Sequence, residues 1–169
     1  CEIKIVNENG EEVNKREVGE IIVKTTSNMI GYWNLPNETK KTLKHGWLYT
    51  GDAGYMDEDG YVYVHDRVKD MIVSGGENVY PAEVESAIFS HEMVSDVAVI
   101  GVPDQKWGEA VKALVVLKDN CKASEEDIIN FAKQRIAGFK TPKSVEFIDE
   151  LPRNPSGKLF DIRFETVSK

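Results

Sequence analysis

The sequence predicts an α+β fold in two parts, a β-rich part over residues 1–66 and a small α+β part over residues 67–169. Three observations support this prediction. Short apolar runs separated by Gly, Asn and Asp turns dominate the first third, as is typical of strands. Amphipathic helical spacing occurs after residue 66. The junction carries charged residues and no apolar run, as expected where two compact units meet.

The first part is predicted to contain four strands and one short helix. Asn9-Gly10 predicts a turn, and Asp57–Gly60 between alternating apolar runs predicts a hairpin. A short helix is expected near Glu38–Leu43, within a less regular segment. The predicted strands are Ile3–Val6, Gly19–Thr25, Trp47–Thr50 and Tyr61–His65.

The second part is predicted to place a central sheet beside helices. Met71–Val73 and Asn78–Tyr80 flank Ser74-Gly75-Gly76, which predicts a small hairpin. Pro81 suits the first position of a helix that runs to about Ser90. Ser124 is the expected N-cap of a second helix that Gly138 would end. The further predicted strands are Val97–Val102, Ala110–Leu117 and Ser144–Ile148.

Composition excludes several classes of function. The net charge of -8 over 169 residues argues against a general nucleic-acid-binding protein. No apolar run approaches the length of a transmembrane helix. Cys1 and Cys121 have no metal-ligand spacing, and the three histidines are scattered, so no metal site is predicted. Because the chain begins at Cys1, a fragment of a longer protein is expected.

Asp52 and Arg67 are the first candidate functional residues. A carboxylate behind Gly51 offers two acceptor oxygens, which suits the paired hydroxyls of a ribose. The guanidinium of Arg67 suits ribose or phosphate oxygens. Their spacing alone favours plainer interpretations, a turn aspartate that binds its own backbone and a surface ion pair worth about 0–1 kcal/mol.

The other candidates lie on predicted loops and at the junction. Lys69 is either a hinge or a solvated surface residue. The turn Ser74, Gly75 and Gly76 is either a plain hairpin or a place where a narrow ligand passes close to the backbone. Trp107 is equally well explained as a buried structural residue. Lys158 lies in a Pro-Ser-Gly-Lys loop that lacks the upstream glycine of a P-loop.

Three segments together resemble the closing part of the adenylate-forming enzymes. They are Trp47–Asp52, Asp66–Glu85 and Leu151–Lys158, and Val102–Glu109 also matches. The branch that they resemble most is the AMP-forming acyl-CoA synthetases and aryl-CoA ligases. The resemblance covers the whole chain but about the final third of the family. It implies that residues 1–66 end a large N-terminal domain and that residues 67–169 form a small mobile C-terminal domain.

The resemblance also implies roles for the candidate residues. Asp52 and Arg67 would bind ATP or AMP, and Lys69 would be the hinge. Ser74, Gly75, Gly76 and Trp107 would line the channel for the pantetheine arm of CoA. Lys158 would be the catalytic residue, because its ammonium group would stabilise negative charge on the substrate carboxylate and the α-phosphate.

The implied enzyme is an acid–thiol ligase whose cosubstrates are ATP and CoA, with Mg²⁺ ligands expected in the N-terminal part. Its substrate would be a fatty or aryl carboxylic acid, and the fragment by itself would be inactive. A cytoplasmic location is expected, with peripheral membrane association left open. The alternatives are a non-catalytic stand-alone binding module of the same fold, a luciferase-like enzyme and a peptide-synthetase adenylation domain.

Overall fold

The computed structural model describes residues 1–153, which fall into two compact units. The first unit is Cys1–Lys69, and the second begins at Asp70. The predicted domain division between residues 1–66 and 67–169 stays a prediction. Within residues 1–153, no helix combines the length and the apolar character needed to cross a bilayer.

The first unit is an antiparallel sheet of five strands with one short helix. Its elements are β1 Glu2–Val6, β2 Gly19–Lys24, α1 Pro36–Thr42, β3 Leu43–Lys44, β4 Trp47–Met56 and β5 Val62–Arg67. Strand β4 is central, since it pairs with β2, β3 and β5. Its hairpin with β5 confirms the predicted turn at Asp57–Gly60. That turn is closed by Asp57, whose Oδ1 accepts the Asp59 and Tyr61 amide protons.

The second unit is a mixed sheet with two helices. Its elements are β6 Ile72–Ser74, β7 Glu77–Val79, α2 Pro81–Phe89, β8 Val94–Asp104, β9 Gly108–Leu117, α3 Glu125–Lys133 and β10 Ser144–Phe147. Strand β9 is central here, with β8 and β6 antiparallel to it and β10 parallel. This architecture confirms the predicted α+β class and the sheet flanked by helices.

The core of the second unit lies between the two helices and one face of the sheet. Val84 and Ile88 of α2 and Ile128 and Ala132 of α3 are fully buried against it. Burying each of the larger of these side chains contributes roughly 1.5–3 kcal/mol. A smaller cluster on the other sheet face contains Leu151, so the chain remains packed on the unit up to that residue.

The predicted C-terminal end of helix α3 was wrong. Helix α3 ends at Lys133, although the sequence suggested that it would continue to Gly138. The reason is that a tight turn follows, in which the amide protons of Arg135 and Ile136 both bond to Ala132 O. Gly138 does not take the left-handed conformation of a C-terminal glycine cap within the described chain.

Candidate functional site

Asp52 and Arg67 lie opposite each other on the paired strands β4 and β5. Arg67 Nε lies 3.0 Å from Asp52 Oδ1 and donates to Gly51 O at 3.2 Å. Both side chains face solvent, with exposed fractions of 39% for Asp52 and 50% for Arg67. Two residues that the sequence nominated from separate motifs therefore form one charged pair within the first unit.

A bulge in β4 presents this pair. Residues 50–52 of β4 lie opposite the single residue Ile21 of β2, which makes the bulge. Within it, Gly51 takes the left-handed conformation with φ of 74°. Thr50 fixes the bulge, because its Oγ1 donates to Ile21 O at 2.7 Å and accepts the Asp52 amide proton at 3.1 Å. The Gly51 amide donates to Glu20 Oε1 at 3.0 Å.

The bulge corrects the predicted position of both residues. Asp52 was expected after the end of a strand and Arg67 after the next strand. Both lie inside strands, because the flexible backbone of Gly51 absorbs a bulge and pairing resumes at Ala53. An exposed ion pair of this kind adds about 0–1 kcal/mol to stability. The exposed carboxylate and guanidinium can both reach a polar ligand.

Lys69 lies in a short 3₁₀ helix, Val68–Asp70. It is the last residue of the first unit. A hinge must lie at a boundary, and this location satisfies that condition.

The Ser74-Gly75-Gly76 segment is the predicted hairpin turn between β6 and β7. Gly75 and Gly76 both have positive φ, of 64° and 86°. Two consecutive residues with positive φ are the requirement of a type I′ turn, which glycine satisfies without strain. Ser74 is buried beneath the turn.

The turn lies against Trp107, so the structure brings together the four residues predicted to contact CoA. The Gly75 amide donates to Trp107 O at 2.8 Å, and Ser74 pairs with Gly108. A Cβ atom at Gly75 would lie 2.7 Å from Trp107 Cε3, which leaves no room for a side chain. The indole is 39% exposed, so it is not the buried structural residue of the alternative interpretation.

Two ammonium groups flank the indole of Trp107. Lys106 Nζ lies 4.6 Å from the ring centroid and Lys143 Nζ lies 5.7 Å from it. Asp104 Oδ1 orders this loop by accepting the Lys106 and Trp107 amide protons, each at 2.8 Å. Two lysine side chains thus lie beside the glycine turn of this acidic chain.

The sequence did not nominate Asp104 and Glu109 as site residues. Asp104 orders the Trp107 loop, and Glu109 Oε2 accepts the Val73 amide proton at 2.8 Å. Both residues lie near Trp107 in the sequence, within the Val102–Glu109 segment that carries the family resemblance. That closeness to a nominated residue was the signal by which the sequence could have identified them.

Lys158 lies outside the described residues. The chain leading to it is held by Arg153, whose Nη2 lies 3.0 and 3.1 Å from the two carboxylate oxygens of Asp96. Among residues 1–153, no group of three or more His, Cys, Asp or Glu side chains could hold a metal ion.

The comparisons with known proteins agree with these motifs. Residues 83–158 match the AMP-binding enzyme C-terminal domain. This segment belongs to that family. The matched segment contains the Asp104–Glu109 loop and helix α3, and the sequence resemblance is confirmed.

The relatives extend the match along the chain. A long-chain-fatty-acid–CoA ligase of Bacillus subtilis is 52% identical over 90% of this chain. A fatty acid–[acyl-carrier-protein] ligase of Streptomyces coeruleorubidus is 47% identical over 92% of it. The chain spans 27% and 30% of these two proteins, respectively. The match lies in the C-terminal part of such ligases.

A solved structure shows the same fold. The o-succinylbenzoate CoA synthetase of Bacillus subtilis, in complex with its acyl-adenylate intermediate, superposes with a TM-score of 0.90 and 41% identity. The superposition covers all of this chain and 34% of that structure.

Proposed function

We propose that this chain is the C-terminal part of an AMP-forming carboxylate–CoA ligase. In the first half-reaction, a carboxylate oxygen attacks the α-phosphorus of ATP, and the bond to pyrophosphate breaks. In the second, the CoA thiol loses its proton and its sulfur attacks the acyl carbon, and the bond to AMP breaks. Activation as an acyl-adenylate converts a poor leaving group into a good one.

The observation that carries this proposal is the exposed pair of Asp52 and Arg67. An ionised carboxylate accepts hydrogen bonds from two neighbouring hydroxyl groups, which is the arrangement of ribose O2′ and O3′. The guanidinium is held by Asp52 and by Gly51 O, which orients its planar donors for ribose or phosphate oxygens. These roles account for an arrangement that contributes little to stability.

The second half-reaction is assigned to the second unit. Pantetheine is narrow and uncharged, so a turn without side chains lets it pass close to the backbone. Trp107 supplies an apolar wall beside Ser74, Gly75 and Gly76. Lys69 is the proposed hinge, about which residues 67–169 move as a small domain against a larger one that residues 1–66 complete.

Lys158 is the proposed catalytic residue of the first half-reaction. Its ammonium group would approach the substrate carboxylate and the α-phosphate oxygens, where negative charge increases in the transition state. Mg²⁺ belongs to the proposal as the cation that accompanies the ATP phosphates and neutralises part of their charge. Its protein ligands are expected in the N-terminal part of the enzyme.

The proposed substrate is a fatty or aryl carboxylic acid, and the proposed location is cytoplasmic.

A second thiol acceptor is suggested by the Streptomyces coeruleorubidus relative, which is a ligase for an acyl carrier protein. A carrier protein would present its thiol on a phosphopantetheine arm, which could use the same glycine turn. Both acceptors share the adenylation step, so they are compared in one experiment.

The test is pyrophosphate release by the intact protein with a panel of fatty and aryl acids, followed by thioester formation with CoA or carrier protein. The proposal predicts pyrophosphate release with at least one acid and a thioester with at least one acceptor. Release of pyrophosphate with light emission, or with amino acids alone, would favour the luciferase-like or peptide-synthetase alternative. Nucleotide binding without pyrophosphate release would favour a non-catalytic module.

A further inference from the structure

The short strand β6, which leads into the glycine turn, pairs fully with β7 but has little support from β9. Its pairing with β9 is a single position, Ser74 opposite Gly108. A ladder of one position leaves the preceding amide of Val73 without a backbone acceptor on β9. The structure supplies one from a side chain, since Glu109 Oε2 accepts the Val73 amide proton at 2.8 Å.

The carboxylate of Glu109 has a dedicated place. Glu109 is half-buried and pairs with Pro103 on β8. A Cβ atom at Gly101 would lie 3.2 Å from Glu109 Oε1 and 3.2 Å from Ile72 Cγ2. Glycine at position 101 therefore leaves the space in which the carboxylate and the start of β6 meet. A charged acceptor makes this bond stronger than a neutral one.

Trp107, the residue just before β9, also bonds to the turn. Trp107 O accepts the Gly75 amide proton at 2.8 Å, two residues before Glu109 along the chain. The two bonds, at Val73 and at Gly75, bracket Ser74. Together they hold the turn at its distance from the indole of Trp107.

We propose that Glu109 is a positioning residue that sets the distance between the Ser74–Gly76 turn and Trp107. This inference rests on the proposed function, in which that distance is the width of the pantetheine channel. In this proposal Glu109 acts through the turn, by its bond to the Val73 amide, and not by contact with CoA. Its carboxylate replaces the missing rung of the β6–β9 ladder, and the channel keeps its width while the chain around it moves.

Glu109→Ala in the intact protein removes the acceptor. We expect the KM for CoA to rise about tenfold, which corresponds to the loss of one hydrogen bond to a charged group. The rate of pyrophosphate release should remain at the wild-type value, since adenylation does not use the turn. Glu109→Gln keeps an oxygen that can accept the Val73 amide proton, so it should recover most of the loss.

Glu125 offers a matched control in the same unit. Its Oε1 accepts the Val145 amide proton at 2.9 Å, so it makes the same kind of bond where β10 pairs with Lys112–Val115 of β9, away from the Gly108 position that pairs with β6. Glu125→Ala should leave the KM for CoA unchanged. A rise in that KM equal to the rise in Glu109→Ala would overturn the inference, as would an equal loss of pyrophosphate release in Glu109→Ala.

Hydrogen exchange separates this inference from the proposed function. In the intact protein, peptides that contain the Val73 and Gly75 amides should exchange about tenfold faster in Glu109→Ala than in wild type or Glu125→Ala. If the protein forms no thioester, the proposed function fails. Hydrogen exchange at the Val73 and Gly75 amides then tests by itself whether Glu109 holds the turn in place. Unchanged exchange at both amides would overturn the positioning role whatever the activity.

Discussion

Replacing Gly75 with alanine perturbs the contact between the turn and Trp107 most directly. The new Cβ would lie 2.7 Å from Trp107 Cε3 and 3.1 Å from Cζ3, both too close for carbon atoms. The left-handed conformation, at φ of 64°, costs a non-glycine residue about 1–2 kcal/mol. Overpacking costs about 1–3 kcal/mol. The half-exposed indole can shift outward, which favours the low end and a total of about 2–3 kcal/mol.

Gly76→Ala is the control for the backbone contribution. Gly76 also has positive φ, 86°, but a Cβ atom there meets nothing within 4 Å. Its expected cost is therefore about 1–2 kcal/mol. Urea unfolding at constant slope measures both free energies. In a Trp107→Ala background, the excess cost of Gly75→Ala should disappear. Equal costs for the two glycine variants, or an excess that persists without the indole, would refute the packing argument.

Three further predictions concern the two units. Asp52→Asn should weaken AMP binding by the intact protein at least severalfold, because a charged acceptor is lost; unchanged affinity by calorimetry would remove Asp52 from the site. Ser124→Ala should cost about 1 kcal/mol near neutral pH, and less in acid, as urea unfolding would show; an equal cost at both pH values would contradict the bond from the Ser124 hydroxyl to the Asp127 carboxylate. Ile128→Ala should lower the free energy of unfolding by about 2–5 kcal/mol, since a fully buried side chain leaves a cavity. A smaller change in the urea midpoint would contradict that packing.

The acid dependence of the Ser124 variant follows from its partner. The Ser124 hydroxyl and amide donate to Asp127 Oδ2 at 2.7 and 2.9 Å, and they lower the pKa of Asp127. A carboxyl whose pKa is lowered in the folded state contributes stability above its unfolded pKa, which is about 3.9. That contribution is lost as the pH falls through the folded pKa. Protonation of Asp127 therefore weakens in wild type one of the two hydroxyl interactions that the substitution removes, the bond from the Ser124 hydroxyl to the Asp127 carboxylate.

The sequence predicted correctly those elements that depend on residues close to one another along the chain. The hairpin over Ser74-Gly75-Gly76 follows from consecutive glycines, and the start of α2 follows from Pro81. The Ser124 cap is present as predicted, with Asp127 completing a capping box. Each of these depends on residues within a few positions of one another, which a sequence displays directly.

Contacts between distant segments could not be predicted in the same way. The bonds from Val73 to Glu109 and from Lys140 to Glu83 join residues that are 36 and 57 positions apart. Their formation depends on strand register and helix packing, which the pattern of one segment does not determine. The β4 bulge at Gly51 is a similar case, because a glycine between Thr50 and Asp52 predicts a turn as readily as a bulge.

The central claim is that one chain supplies a cation for adenylation and a separate backbone channel for the thiol. The most direct measurement is the rate of each half-reaction in Lys158→Ala of the intact enzyme. Acyl-AMP formation should fall about 10²–10³-fold, while thioester formation from supplied acyl-AMP keeps its wild-type rate. An equal loss in both half-reactions, or none in the first, would contradict the claim.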